Sequence, residues 1–152
     1  MKFAQTVIKI NALFMLAAGI AFGLYGPLMM AFFAVPELLD ANPGAYWQIA
    51  AFARMFGAAL FGFGLLLWSL RTTFVELSAR GQRGLLAALI LANLMGAFIS
   101  ITEQSSIWGT PAGWVTTGLY SALMLANIYA IVRLPSRKSE NIEEKENLTQ
   151  NL

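Results

Sequence analysis

The sequence contains no cysteine and no histidine. That removes disulfides, thiol nucleophiles, imidazole ligation of haem or zinc, and histidine acid–base catalysis. Four-helix membrane families built on paired extracellular cysteines, such as tetraspanins and claudins, are excluded with them. Charge is also scarce, at 12% of residues. Ahead of the C-terminal tail the acids are Glu37, Asp40, Glu76 and Glu103, scattered and without the Glu-x-x-His pair of a di-iron centre. The chain therefore reads as a non-enzyme with no metal site, and nothing in it assigns a cofactor.

Apolar residues are what the sequence has instead: 58% are hydrophobic and the mean hydropathy is +0.64. About 20 predominantly apolar residues cross the hydrocarbon of a bilayer. Such stretches run from about 4 to 25, 48 to 70, 84 to 102 and 112 to 132, and a span must satisfy its backbone internally, so each is predicted helical. The fold class is all-α, an integral membrane four-helix bundle occupying residues 1–134. A cleaved signal peptide is the alternative for the first span, with Lys2 and Lys9 as its basic region, but the apolar run is longer than a signal's.

The basic residues give the orientation. Lys2 and Lys9 open span one; Arg71, Arg80 and Arg83 lie between spans two and three; Arg133, Arg137, Lys138 and Lys145 follow span four. The other two connections carry none, so both termini and the middle connection are expected in the cytoplasm. Tyr25, Tyr46, Trp47, Trp108 and Trp114 then form an outer aromatic belt, with Trp68 and Tyr129 at the inner boundary. The pI of about 9.2 reflects these flanking charges, and nucleic-acid binding is not expected.

Between spans one and two the stretch PLMMAFFAVPELLDANPGAYW is too short to recross, and its prolines divide it. A short helix from about Leu28 to Ala34 lying at the outer interface is predicted, followed by an acidic turn with Glu37 and Asp40. It is either a docking face or an apolar loop resting on lipid. The tail from 135 to 152 is polar and mixed in charge, and reads as a disordered cytoplasmic end.

Five residues stand out as candidate structural or ligand-contacting groups. Arg54 lies roughly 9 Å inside the outer start of span two, and Glu103 closes span three at the same boundary. Spans two and three, antiparallel and joined by the short connection from Arg71 to Arg83, are expected to be neighbours, so an ion pair between the two residues is expected, with Glu37 and Asp40 as rival partners and an anion-binding role for the guanidinium as the functional reading. Asn11, Asn93 and Asn127 fall at roughly 10, 14 and 9 Å from the cytoplasmic ends of their spans. One shared layer is expected, either hydrogen-bonding glue between helices or the lining of a polar path. Small residues recur at four-residue spacing, as Gly19 and Gly23; Ala58 and Gly62; Ala88, Ala92, Gly96 and Ser100; and Gly118, Ala122, Ala126 and Ala130. The last two ladders predict a close hairpin of spans three and four, with Met95 and Met124 filling the gaps.

The stretch FARMFGAALFGFGLLLWSLR resembles the second span of the DoxX-like group, small four-helix bacterial membrane proteins of unknown function. There an arginine precedes a glycine-rich helix that ends in an aromatic and a basic residue. Pro27, ANLMGAF and Trp114 sit where that pattern puts them. The resemblance implies a bacterial inner membrane. Small multidrug exporters are not resembled, because span one has no acid. By function class, the sequence is read first as a non-catalytic membrane subunit or scaffold that packs in the bilayer on a membrane-protein partner or a second copy. The alternative is a small carrier or binder of a hydrophobic molecule, a quinone, lipid or pigment.

Overall fold

A computed structural model describes residues 2–33, 42–106, 108 and 110–134. Among them are five helices and no strand: α1 (Lys2–Leu24), α2 (Gly26–Phe32), α3 (Pro43–Thr73), α4 (Ala79–Ser106) and α5 (Ala112–Val132). All but α2 are long and apolar enough to cross a membrane. The chain is an all-α membrane bundle with a short helix between its first two spans. The acidic turn with Glu37 and Asp40, and the tail from 135 to 152, lie outside the described residues.

Helix bounds run past the apolar stretches because a helix does not stop where hydrocarbon stops. At 31 residues α3 is about 47 Å long against a hydrocarbon core of about 30 Å. Its start is set by Asn42, whose side chain accepts from the Ala45 N–H at 3.1 Å, with Pro43 in the first turn, where no backbone donor is needed. α2 begins two residues ahead of the predicted Leu28, with Pro27 in its own first turn. At the far end of α3, Gln82 is buried and its Nε2 donates to the carbonyls of Phe74 and Leu77, both at 3.1 Å. The Phe74 carbonyl also accepts from the Leu77 N–H at 3.3 Å, so the side chain reinforces the turn that ends the helix.

The helices pair as α1 with α3 and α4 with α5, and α1 joins the pairs by packing on α5. Spans two and three, expected to be neighbours because their connection is short, share no extended face. The reason is a glycine seam. A Cβ on Gly19 would stand 2.5 Å from the Phe61 backbone nitrogen, one on Gly64 would stand 2.8 Å from Leu16, and one on Gly57 would overlap the Gly23 backbone. These are antiparallel contacts at a seven-residue repeat, Ala50, Gly57 and Gly64, all buried on α3. Helices that lack side chains at the seam approach closely and gain dispersion energy, the main source of association in lipid. The four-residue ladder Ala58 and Gly62 lies on the other side: both are exposed, and nothing stands within 4 Å of a Cβ on Gly62.

The α4–α5 hairpin forms as expected, and half of its ladder residues face inward: Ser100 and Ala130 are buried and Ala126 packs against the core. Ala88, Ala92, Gly118 and Ala122 are exposed, and Met95 points outward. Gly96, also of the ladder, receives the Tyr120 ring, and Gly113 receives Gln104 and Trp108. Large apolar side chains cluster at one end of the bundle, around Ile8, Leu67, Phe74, Leu86 and Leu89. This is the end that carries Arg71, Arg80 and Arg83, here called the basic end. At the opposite, α2 end a smaller cluster joins Met30, Tyr46 and Ala50.

Candidate functional site

Asn11, Asn93 and Asn127 meet in one layer where the basic-end cluster stops. They are 0%, 1% and 0% exposed. Each amide nitrogen donates to the carbonyl four residues earlier in its own helix: Asn11 to Val7 at 2.9 Å, Asn93 to Leu89 at 2.8 Å and Asn127 to Leu123 at 2.7 Å. That shared back-bond fixes which end of each amide faces the own-helix backbone. Oδ1 of Asn11 accepts one further bond from each neighbour's amide nitrogen, from Asn93 Nδ2 at 3.0 Å and from Asn127 Nδ2 at a long 3.5 Å. The layer thus ties α1, α4 and α5 through a single oxygen.

Its donors are then used up on Asn93 and Asn127, whose two amide hydrogens are each engaged. Oδ1 of Asn127 is buried and accepts from nothing. Two further buried oxygens share that condition, Thr117 Oγ1 and Gln104 Oε1, both toward the α2 end of the α4–α5 pair. Gln104 was not singled out by the sequence. A glutamine at the end of an apolar span is ordinary, and only its apposition to Gly113 marks it.

Arg54 and Glu103 are not brought together. Arg54 is exposed near the α2 end, its stem lying over Gly26, where a Cβ would be 3.4 Å from Arg54 Cγ. Glu103 is half-buried on α4, which shares no extended face with α3. Neither forms an ion pair among the described residues. The expectation failed because it placed spans two and three side by side, whereas the glycine seam commits span two to span one. At the basic end two arginines are engaged with aromatic rings or backbone: Arg71 stacks 3.9 Å over Trp68 and donates to its carbonyl, and Arg133 lies 5.1 Å from the Tyr129 ring.

The α2 end is closed by contacts between distant segments. Thr110 Oγ1 donates to the Phe32 carbonyl at 2.7 Å, and the Phe33 and Trp108 rings lie 4.3 Å apart. No group of three or more metal-ligating side chains occurs among the described residues. No protein-family model, curated protein or solved structure matches the chain.

Proposed function

We propose that the chain is a non-catalytic integral membrane subunit that packs through α3 on a partner in a larger membrane complex. The observation that supports this reading is the one-sided packing of α3. It buries Ala50, Gly57, Gly64 and Leu67 against the rest of the chain and leaves Phe52, Met55, Phe56 and Phe63 at least half exposed, beside an exposed Arg54 with no carboxylate partner among the described residues. Lipid can cover the rings. A guanidinium in a span calls for more, because charge near hydrocarbon is costly unless it reaches water or a carboxylate. In this reading the partner is a membrane helix presenting an acidic group at the depth of Arg54, in the role for which Glu37 and Asp40, outside the described residues, are the rivals within the chain. The basic flanks support a cytoplasmic side for both termini and the Arg71 to Arg83 connection, and the DoxX-like resemblance supports a bacterial inner membrane.

The test is charge reversal. Arg54→Glu should abolish co-purification of the partner in mild detergent while the chain stays folded, and a lysine or arginine in place of the partner's acid should restore it. Unchanged co-purification by Arg54→Glu would refute the reading. A second reading, binding of a hydrophobic molecule, is favoured by the buried oxygen of Asn127 that lacks a donor.

A further inference from the structure

The basic end carries donors that have nothing to donate to. Gln5 lies between Lys2 and Lys9 and its Nε2 donates to the Arg71 carbonyl at 3.4 Å, so both lysines stand within little more than a turn of the place where α1 meets the end of α3. Both are exposed, and neither side chain forms a hydrogen bond or ion pair among the described residues. The Trp68 indole N–H is in the same condition, and the Arg71 guanidinium stacked above that ring donates only to the Trp68 carbonyl. All four groups donate and none accepts. What they lack is an acceptor, and three of the four are cations. Among the described residues that end carries Lys2, Lys9, Arg71, Arg80, Arg83 and Arg133 against one acid, Glu76.

Depth separates Lys9 from an ordinary flanking charge. It lies seven residues into α1 from Lys2, about 10 Å along the axis. Snorkelling recovers part of that distance but leaves the ammonium beside lipid chains, where an uncompensated charge is costly. Further in, the same surface is apolar. Lys2, Lys9, Leu13, Leu16 and Ile20 are spaced by seven, four, three and four residues, which puts them on one stripe of α1. Leu16 lies against Gly64, so the stripe runs beside the α1–α3 seam, and Leu13 and Ile20 are about half exposed along it. On α3 the residues Arg71, Trp68, Gly64 and Phe61 continue in steps of three, four and three, with Phe61 again exposed. The strip is cationic at one end and apolar along the rest.

We infer that this strip holds one anionic phospholipid, with its phosphate on Lys9 and Lys2 beside Arg71 and the Trp68 N–H, and an acyl chain along Leu13, Leu16 and Ile20. Charge and depth together name the occupant. A soluble anion would serve Lys2 but would have to leave water to reach Lys9, and an acidic segment of polypeptide meets the same obstacle. A phospholipid already bridges that boundary, because it brings a charged headgroup and hydrocarbon in one molecule. The strip lies at the opposite end of the bundle from Arg54 and does not depend on the partner proposed above.

The test uses the whole chain, stripped of lipid in a neutral detergent, with dioleoyl phosphatidylglycerol and dioleoyl phosphatidylcholine titrated separately and bound lipid counted by native mass spectrometry. The two share their chains and a phosphate, and only the first carries net charge. One phosphatidylglycerol should bind about tenfold or more tightly than phosphatidylcholine. A cation near the membrane surface contributes about fivefold to such binding, so Lys9→Gln should weaken phosphatidylglycerol about fivefold and leave phosphatidylcholine unchanged, while Lys9→Arg keeps the preference. Arg80→Gln removes an exposed charge from the same end, on α4, and should cost less than about twofold. Equal losses from Lys9→Gln and Arg80→Gln would mean diffuse attraction and overturn the site. Equal affinity for the two lipids would overturn it as well, and is the result expected if the glutamates of the tail serve Lys9 instead. That comparison uses the unaltered chain, so it decides the matter even if a variant fails to fold.

Discussion

Replacing each layer asparagine in turn by leucine, which is close in volume, should give three different costs. Interhelical hydrogen bonds between membrane helices contribute on average about 0.6 kcal/mol and at most about 1.7. Asn11→Leu removes the oxygen that serves two neighbours, at 3.0 and 3.5 Å, and should destabilise by about 1 to 2 kcal/mol. Asn93→Leu loses a single interhelical bond, the 3.0 Å one, and should cost about 1 kcal/mol. Asn127→Leu gives up the long contact but also removes a buried oxygen that has no donor, a burden of about 1 to 3 kcal/mol where it is left unmet. The two effects oppose, so this variant should be neutral or more stable than the parent. The assay is reversible unfolding in mixed micelles by titration with dodecyl sulfate, on protein freed of co-purifying molecules by repeated detergent exchange. Equal costs, or Asn127→Leu as the most damaging of the three, would mean that its oxygen is satisfied within the chain.

The glycine seam should be one-sided. Gly57→Ala drives a methyl into the Gly23 backbone and should destabilise by about 1 to 3 kcal/mol or more, whereas Gly62→Ala, facing open space, should stay within about 0.5 kcal/mol of the parent in the same assay. Gln82→Glu removes the amide that donates to the Phe74 and Leu77 carbonyls and should cost about 1 to 3 kcal/mol, with faster hydrogen exchange at the end of α3 as its local signature. For topology, reporters after Leu152 and near Ser78 should behave as cytoplasmic and one at Asn42 as external. Opposite results at Ser78 and Asn42 would overturn the orientation.

Span number and helix type were legible because they follow from run length and from the demand that a spanning backbone satisfy itself. The meeting of the asparagines was legible too, since depth counted from the basic ends fixes height in the membrane. The hairpin of spans three and four was legible as well, but the neighbour of span two was not. A four-residue spacing of small residues drew attention to Ala58 and Gly62, whereas the seam uses the seven-residue spacing of Ala50, Gly57 and Gly64. Both spacings are present in the sequence, and only the partner's register, Gly23 opposite Gly57 and Leu16 opposite Gly64, separates them. The Arg54–Glu103 expectation inherited that error of adjacency. An oxygen lacking a donor, as on Asn127, leaves no trace in sequence, because it is a property of how three helices rotate about one another.

Because the chain has no cysteine of its own, and because a photoreactive phenylalanine analogue replaces an aromatic ring with little change of shape, the open face of α3 can be probed in native membranes. The analogue is placed singly at Phe52, Phe56 and Phe63 on α3 and, for comparison, at Val115 and Leu125, which are exposed on α5. A subunit that docks through α3 predicts one discrete cross-linked protein from the three α3 positions, absent from the α5 positions and lost when Arg54→Glu is added. Lipid adducts alone at all five positions, or the same products from α5 as from α3, would contradict it.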